Sequence, residues 1–151
     1  MTKFNGIIPV LRIFDEARAR EFYIEFLGFA QTFEHTFGDN FPIYIGVAQS
    51  GCILHLSEHH GDASPGTTLR ISTEDVDAFS KMLAAKDYKY AKPGTAALTP
   101  WGTKEITLTD PFGNRLIFFE KTFLPCIVNI SKIVSFPLIF KLYVGIISGF
   151  R

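Results

Sequence analysis

Two stretches of this chain carry the same order of local signals, and that repetition limits what it can fold into. In each, a short apolar strand precedes an amphipathic helix, and short strands follow the helix. Neither unit alone can cover the apolar face of its own sheet, so the two must share a core. The expected class is α+β, with two βαβββ modules building a curved mixed sheet around a concave pocket.

The punctuation of the first unit is chemical. Residues 6–12 form an apolar run rich in branched side chains, as a buried strand requires. Asp15 supplies a helix-starting carboxylate, and Ala19, Phe22, Tyr23, Phe26 and Leu27 recur on one helix face before Gly28 stops it as a left-handed cap. Residues 30–36, 42–49 and 52–58 read as strands, the last two joined by a tight turn at Ser50-Gly51. In the second unit, residues 67–73 read as a strand. Asp75 then opens a helix whose Val76, Phe79, Met82 and Leu83 face inward, ending near Lys86. A short strand is expected at 88–91, a Pro/Gly/Thr-rich loop at 92–100, and two strands at 103–109 and 115–121 around the Asp110-Pro111-Phe112-Gly113-Asn114 turn. The modules thus span about 4–58 and 67–121, linked by 59–66, within a domain of residues 1–122.

Beyond that domain the chemistry changes. Residues 123–151 contain no acidic side chain, and Ile, Val, Leu and Phe dominate, interrupted by Pro125 and Pro137. A foreign or frame-shifted extension ranks first as an explanation, a segment covering a dimer surface second and a membrane tail third. Pro137 and Lys141 fall inside the apolar run and argue against a span. Without Lys132, Lys141 and Arg151, the domain holds 12 basic against 15 acidic residues, which suits a nucleic acid poorly. No GxSxG elbow, Gly-rich phosphate loop or CxxC pair is present, so acyl transfer, nucleotide binding and thiol redox lose their usual signatures. Cys52 and Cys126 are too few and too dispersed for a disulfide framework, which fits a cytoplasmic protein. No amino-terminal leader is read before the first strand.

Ile8-Pro9-Val10-Leu11, Asp15, Phe22-Tyr23, Leu27-Gly28-Phe29, Pro100-Trp101-Gly102 and the Asp110-to-Asn114 turn together resemble the bleomycin resistance branch of the glyoxalase/dioxygenase (vicinal oxygen chelate) superfamily. The resemblance runs from Met1 to about Thr122. It implies paired βαβββ modules, a homodimer and two ligand crevices shaped partly by the dimer interface. It also implies where a metal would sit in the superfamily's enzymes, on the first and last strands of each module. Here those positions hold Ile8, His55, a residue near Thr68, and Ile117. Only His55 is a good ligand, whereas a catalytic centre ordinarily takes three protein ligands and an open position. His55 stands between Leu54 and Leu56 and so faces away from them, as a pocket wall or as a structural histidine. His59 and His60 read as a solvated loop, His35 as a surface strand residue, and Glu120 as an exposed charge.

Aromatic side chains are abundant, with 16 Phe, 5 Tyr and 1 Trp. Phe22, Phe26, Phe79 and Phe119 are assigned to the core. The expected ligand-binding set is Phe33, Phe37, Phe41, Tyr44, His55, Arg70 and Trp101, where flat rings grip planar guests by stacking and attract cations. Phe33 and Phe37 resemble aromatic positions that sandwich ligand in the resistance proteins. Arg70 stands where a close relative has a ring, and a free cation there would favour an anionic guest over a cationic glycopeptide. The expected function is sequestration of a small toxic aromatic or glycopeptide antibiotic, bleomycin-like in kind, with no cofactor, no metal and no catalytic residue. A metal-dependent lyase or dioxygenase of the same superfamily is the alternative.

Overall fold

The computed structural model describes residues 1–122 of the 151. The apolar extension and Cys126 lie outside the described residues. Strand β1 is Val10–Arg12, shorter than the apolar run around it. Pro9 has no amide hydrogen to donate, although its carbonyl accepts from His55 N, and Ile7 and Ile8 before it are exposed. Helix α1, Glu16–Ala19, starts at Asp15, whose carboxylate accepts from Arg18 N at 2.9 Å. It continues without a break as a π-helical segment, Arg20–Phe26, with Leu27 N bonded to Phe22 O five residues back. The wider winding turns the neighbours Phe22 and Tyr23 inward together, along with Phe26 and Leu27. Gly28 closes the segment at φ +86°, as its missing Cβ allows.

Strands β2 (Ala30–His35), β3 (Tyr44–Gln49) and β4 (Cys52–Ser57) complete a sheet of order β1-β4-β3-β2, in which β1 runs parallel to β4. The second module repeats it with β5 (Thr68–Ser72), α2 (Val76–Ala85), β6 (Ala97–Leu98), β7 (Thr103–Thr109) and β8 (Arg115–Lys121), in order β5-β8-β7-β6. The α+β class and the two βαβββ modules are as expected, and the strands form two four-stranded mixed sheets within the chain.

Four local expectations need correction. The second strand of module two is Ala97–Leu98, inside the stretch expected to be loop, and 88–91 is not a strand. After α2 the chain turns through left-handed Asp87 so that Tyr88 can stack on Phe26, with ring centres 4.6 Å apart, and this contact draws it away from any sheet edge. Met82 is 41% exposed, while its helix neighbours Val76 and Leu83 are fully buried. Glu120 is half-buried and accepts from Val76 N at 3.0 Å, so it caps α2 next to the left-handed Asp75. Phe119, assigned to the core, lies on the outer face of its sheet beneath Arg70.

The two modules are joined through their helix sides. Leu11, Phe22, Tyr23 and Leu54 of the first and Val76, Leu83, Ile106 and Leu116 of the second belong to one continuous core. At its centre the Tyr23 hydroxyl donates to Asp110 Oδ2 at 2.7 Å, and Asn114 Nδ2 donates both to Asp110 Oδ2 and to the Arg12 carbonyl. The other Asp110 oxygen accepts from Phe112 N and Asn114 N, closing its own turn. Lys86 ties the far end, donating to the carbonyls of Glu25 and Phe26 at the end of the π segment. Replacing Tyr23 by Phe removes one donor from a buried carboxylate and is expected to cost about 1–3 kcal/mol in urea unfolding. Asp110→Ala strips the acceptor from four buried or half-buried donors and must cost more. An Asp110→Ala loss no larger than that of Tyr23→Phe would contradict a shared latch.

Candidate functional site

Strand alternation divides each sheet into a helix side and an outer side. In module one Ile45, Val47, Leu54 and Leu56 are buried, while Tyr44, Gly46, His55 and Ser57 occupy the other face in register. Phe33, opposite Gly46 beyond a bulge in β2, lays its ring across that glycine. A Cβ on Gly46 would come 2.2 Å from Phe33 Cε1. The absent side chain is therefore what lets Phe33 lie flat on the sheet, near-parallel to Tyr44 at 6.2 Å and edge-on to His55 at 5.1 Å. The Tyr44 hydroxyl and His55 Nδ1 share a hydrogen bond of 2.9 Å. Burial, reinforced by the charge of Asp62, pushes the Tyr44 phenol above its usual range. Phe33, Tyr44 and His55 thus form one aromatic wall.

Phe37 stands at the neighbouring edge between His35, 4.7 Å away, and His59, 5.7 Å away. These two histidines, read from sequence as bare surface, pack on an exposed ring. Phe41 lies apart, in a recess shared with Arg12 and Glu58.

Arg70 and Trp101 meet on the outer face of module two. The Arg70 guanidinium donates to both Glu105 oxygens, at 3.3 and 2.5 Å, and lies 4.7 Å over the Phe119 ring. Trp101 Nε1 and Thr103 Oγ1 donate to the same Glu105. These contacts, Arg70 foremost, hold the Glu105 carboxyl down at about 2. Arg70 is therefore no free cation: its charge is matched by a carboxylate that stays ionised. Glu105 and Phe119 were missed in the sequence. Alternation from Ile117 would have placed Phe119 on this face, but nothing local marks Glu105 as the partner of a residue 35 positions away.

The chain matches the family described as glyoxalase superfamily protein over residues 1–123. It belongs to the glyoxalase superfamily. Among solved structures it is similar to TnmS3, an antibiotic binding protein from Streptomyces sp. CB03234, with 21% identity over 81% of this chain and 100% of that one, and a TM-score of 0.64. It is also similar to the bleomycin-binding protein of Streptomyces verticillus complexed with copper(II)-bleomycin, with 31% identity over 78% of this chain and 97% of that one, and a TM-score of 0.60. A further bleomycin-binding protein, complexed with bleomycin, shares 20% identity over 78% of this chain and 99% of that one, with a TM-score of 0.62. No curated protein matches the chain significantly.

The metal positions implied for this superfamily's enzymes do not carry a metal's ligand set here. Ile8 and Ile117 have no donor atom and Thr68 offers only a neutral hydroxyl, which leaves His55, bonded to Tyr44 through Nδ1, with Nε2 as the one good donor of the set. Among the described residues no three His, Cys, Asp or Glu side chains gather where they could hold an ion. A cavity of about 610 Å³ lies elsewhere, between the modules on the helix side, where Phe29, Cys52, Ile71, Phe79 and Phe118 contribute to its lining. None of the seven expected binding residues borders it.

Gly46→Ala is expected to drive the Phe33 ring off the wall while leaving the core intact. Loss of ring-current shifts between Phe33 and Tyr44 in proton NMR, with a melting temperature close to the parent's, would show it. An undisturbed Phe33 resonance would refute the steric account. The Glu105 clamp makes a pH prediction. Its carboxyl is depressed in the folded chain, so its stabilisation is complete above the ordinary value near 4.5 and disappears as pH falls through about 2. The melting gap between the parent and Glu105→Gln should be constant above pH 5 and close on acidification. The gap itself should be modest, because Arg70 is exposed.

Proposed function

We propose that this superfamily member is a binding protein that sequesters a small toxic aromatic or glycopeptide antibiotic without turning it over, working as a cytoplasmic homodimer. The observation that carries the reading is the wall of Phe33, Tyr44 and His55, held flat by Gly46 on the outer face of a sheet. Such a surface grips a planar guest by stacking and offers a polar edge at the Tyr44–His55 pair. Apolar Ile8 and Ile117 at two of the superfamily's metal positions, and no metal's ligand set among the described residues, support binding over lyase or dioxygenase chemistry. Pairing of Arg70 with Glu105 removes the objection that a fixed cation would repel a cationic guest. Similarity to an antibiotic binding protein and to bleomycin-binding proteins agrees with this class of ligand.

Exposure of the outer faces supports the dimer. Phe33, Ile53 and Trp101 are 42%, 41% and 67% exposed, and large rings left open on a sheet face mark a surface that something covers. A second copy, setting its module-two face against the module-one face of the first, would enclose two crevices. Phe37, Phe41, Tyr44, His55 and Arg70 would then join Phe33 and Trp101 as their walls. The domain doing this is residues 1–122, with 123–151 as an added segment.

Calorimetry with bleomycin-class drugs and other aromatic antibiotics tests the proposal. Phe33→Ala should weaken binding by about 0.5–1.5 kcal/mol, roughly 2- to 10-fold in Kd. Sedimentation equilibrium should report a dimer. A dimer that binds no member of the panel even at millimolar concentration would end the sequestration reading.

A further inference from the structure

We infer that the recess at the end of β1 is a subsite for a neutral, planar carboxamide, with Arg12 taking the carbonyl oxygen and Glu58 the N–H donors. The recess holds about 440 Å³ and is lined by Arg12, Phe14, Asn40, Phe41, Pro42 and Glu58. The other cations with described partners are engaged within the chain. Arg20 is paired with Glu16 and Glu34, Arg70 with Glu105, Lys104 with Asp77, and Lys86 with two carbonyls. Arg12 differs, because its Nη1 is buried with no acceptor among the described residues. A buried donor left without an acceptor is costly, and Arg12 also lines the recess, so a small turn of its guanidinium towards a guest would give this nitrogen the acceptor it lacks.

The surroundings say which guest. Arg12 stands on a fixed backbone, with its carbonyl held by Asn114 Nδ2 and the next amide bonded to Ser57 O. Its guanidinium lies 4.9 Å over the Phe14 ring. Glu58 is equally anchored: its carboxylate accepts from Ile43 N at 3.1 Å and its own amide donates to Ile43 O at 3.0 Å. Opposite charges thus border one recess without forming an ion pair among the described residues. A carboxylate guest would satisfy Arg12 and be repelled by Glu58, and a cation would do the reverse. A carboxamide presents an acceptor to one and donors to the other. Phe14 and Phe41 supply ring surface for an aromatic group bearing that amide. The inference rests on the ligand-binding reading above only in attaching this amide to a larger guest.

Three probes of equal size separate the possibilities: benzamide, benzoate and benzamidinium, titrated into the full chain and followed at the amide resonances of Asn40, Phe41 and Glu58. Benzamide should bind best, by about 10-fold over either charged probe. Arg12→Leu should abolish its binding, and Arg12→Lys, which keeps the charge should the first variant not fold, should weaken it. Glu58→Gln should raise benzoate affinity towards that of benzamide. Phe33→Ala should leave benzamide binding unchanged while weakening any antibiotic, so the subsite and the sequestration reading fail separately. Benzoate binding as well as benzamide, benzamide binding indifferent to both Arg12 variants, or no response to any probe at its solubility limit would each overturn the subsite.

Discussion

One carboxylate holds this molecule in register. Asp110 closes its own turn through two backbone amides and at the same time receives the Tyr23 hydroxyl from the helix of the other module. Burial and the neighbouring negative charge push the Tyr23 phenol well above its ordinary range, so it remains a proton donor under all ordinary conditions. Asn114 extends the latch to the backbone of β1. A local turn and a long-range junction therefore share the same atoms, and neither can relax without the other.

The direction in which the latch pulls decides where function can lie. It draws the two helix sides together into one core, which leaves both outer sheet faces carrying the exposed rings. Those faces are stiff because their backbones are laddered, and the side chains on them are further constrained in pairs. Gly46 and Phe33 form a lock of absence against ring, and Arg70 and Glu105 a lock of charge against charge. A preorganised wall loses little freedom when a guest arrives, which favours binding over a site that must assemble around its ligand.

Much of the architecture was legible because it rests on short-range chemistry. Asp15 and Asp75 as helix starts, Gly28 as a stop, Ser50-Gly51 as a hairpin turn and the Asp110-to-Asn114 turn all act within a few residues of themselves. The alternation that sent His55 away from Leu54 and Leu56 is equally local. The failures share one cause. Tyr88 leaves its expected strand for Phe26, Glu120 turns to the first α2 amide, and Phe119 serves the outer face, each through a partner distant in sequence.

The sequence by itself determined the two βαβββ modules and the aromatic character of the candidate site, since periodicity, caps and turn residues are written into consecutive positions. Only the tertiary structure decided which charges are free. Arg70 looked unpaired and is neutralised by Glu105, whereas Arg12 looked like an ordinary strand residue and keeps a buried nitrogen without an acceptor among the described residues. Whether a charge is matched depends on distances between strands far apart in the chain, and no local pattern encodes those distances.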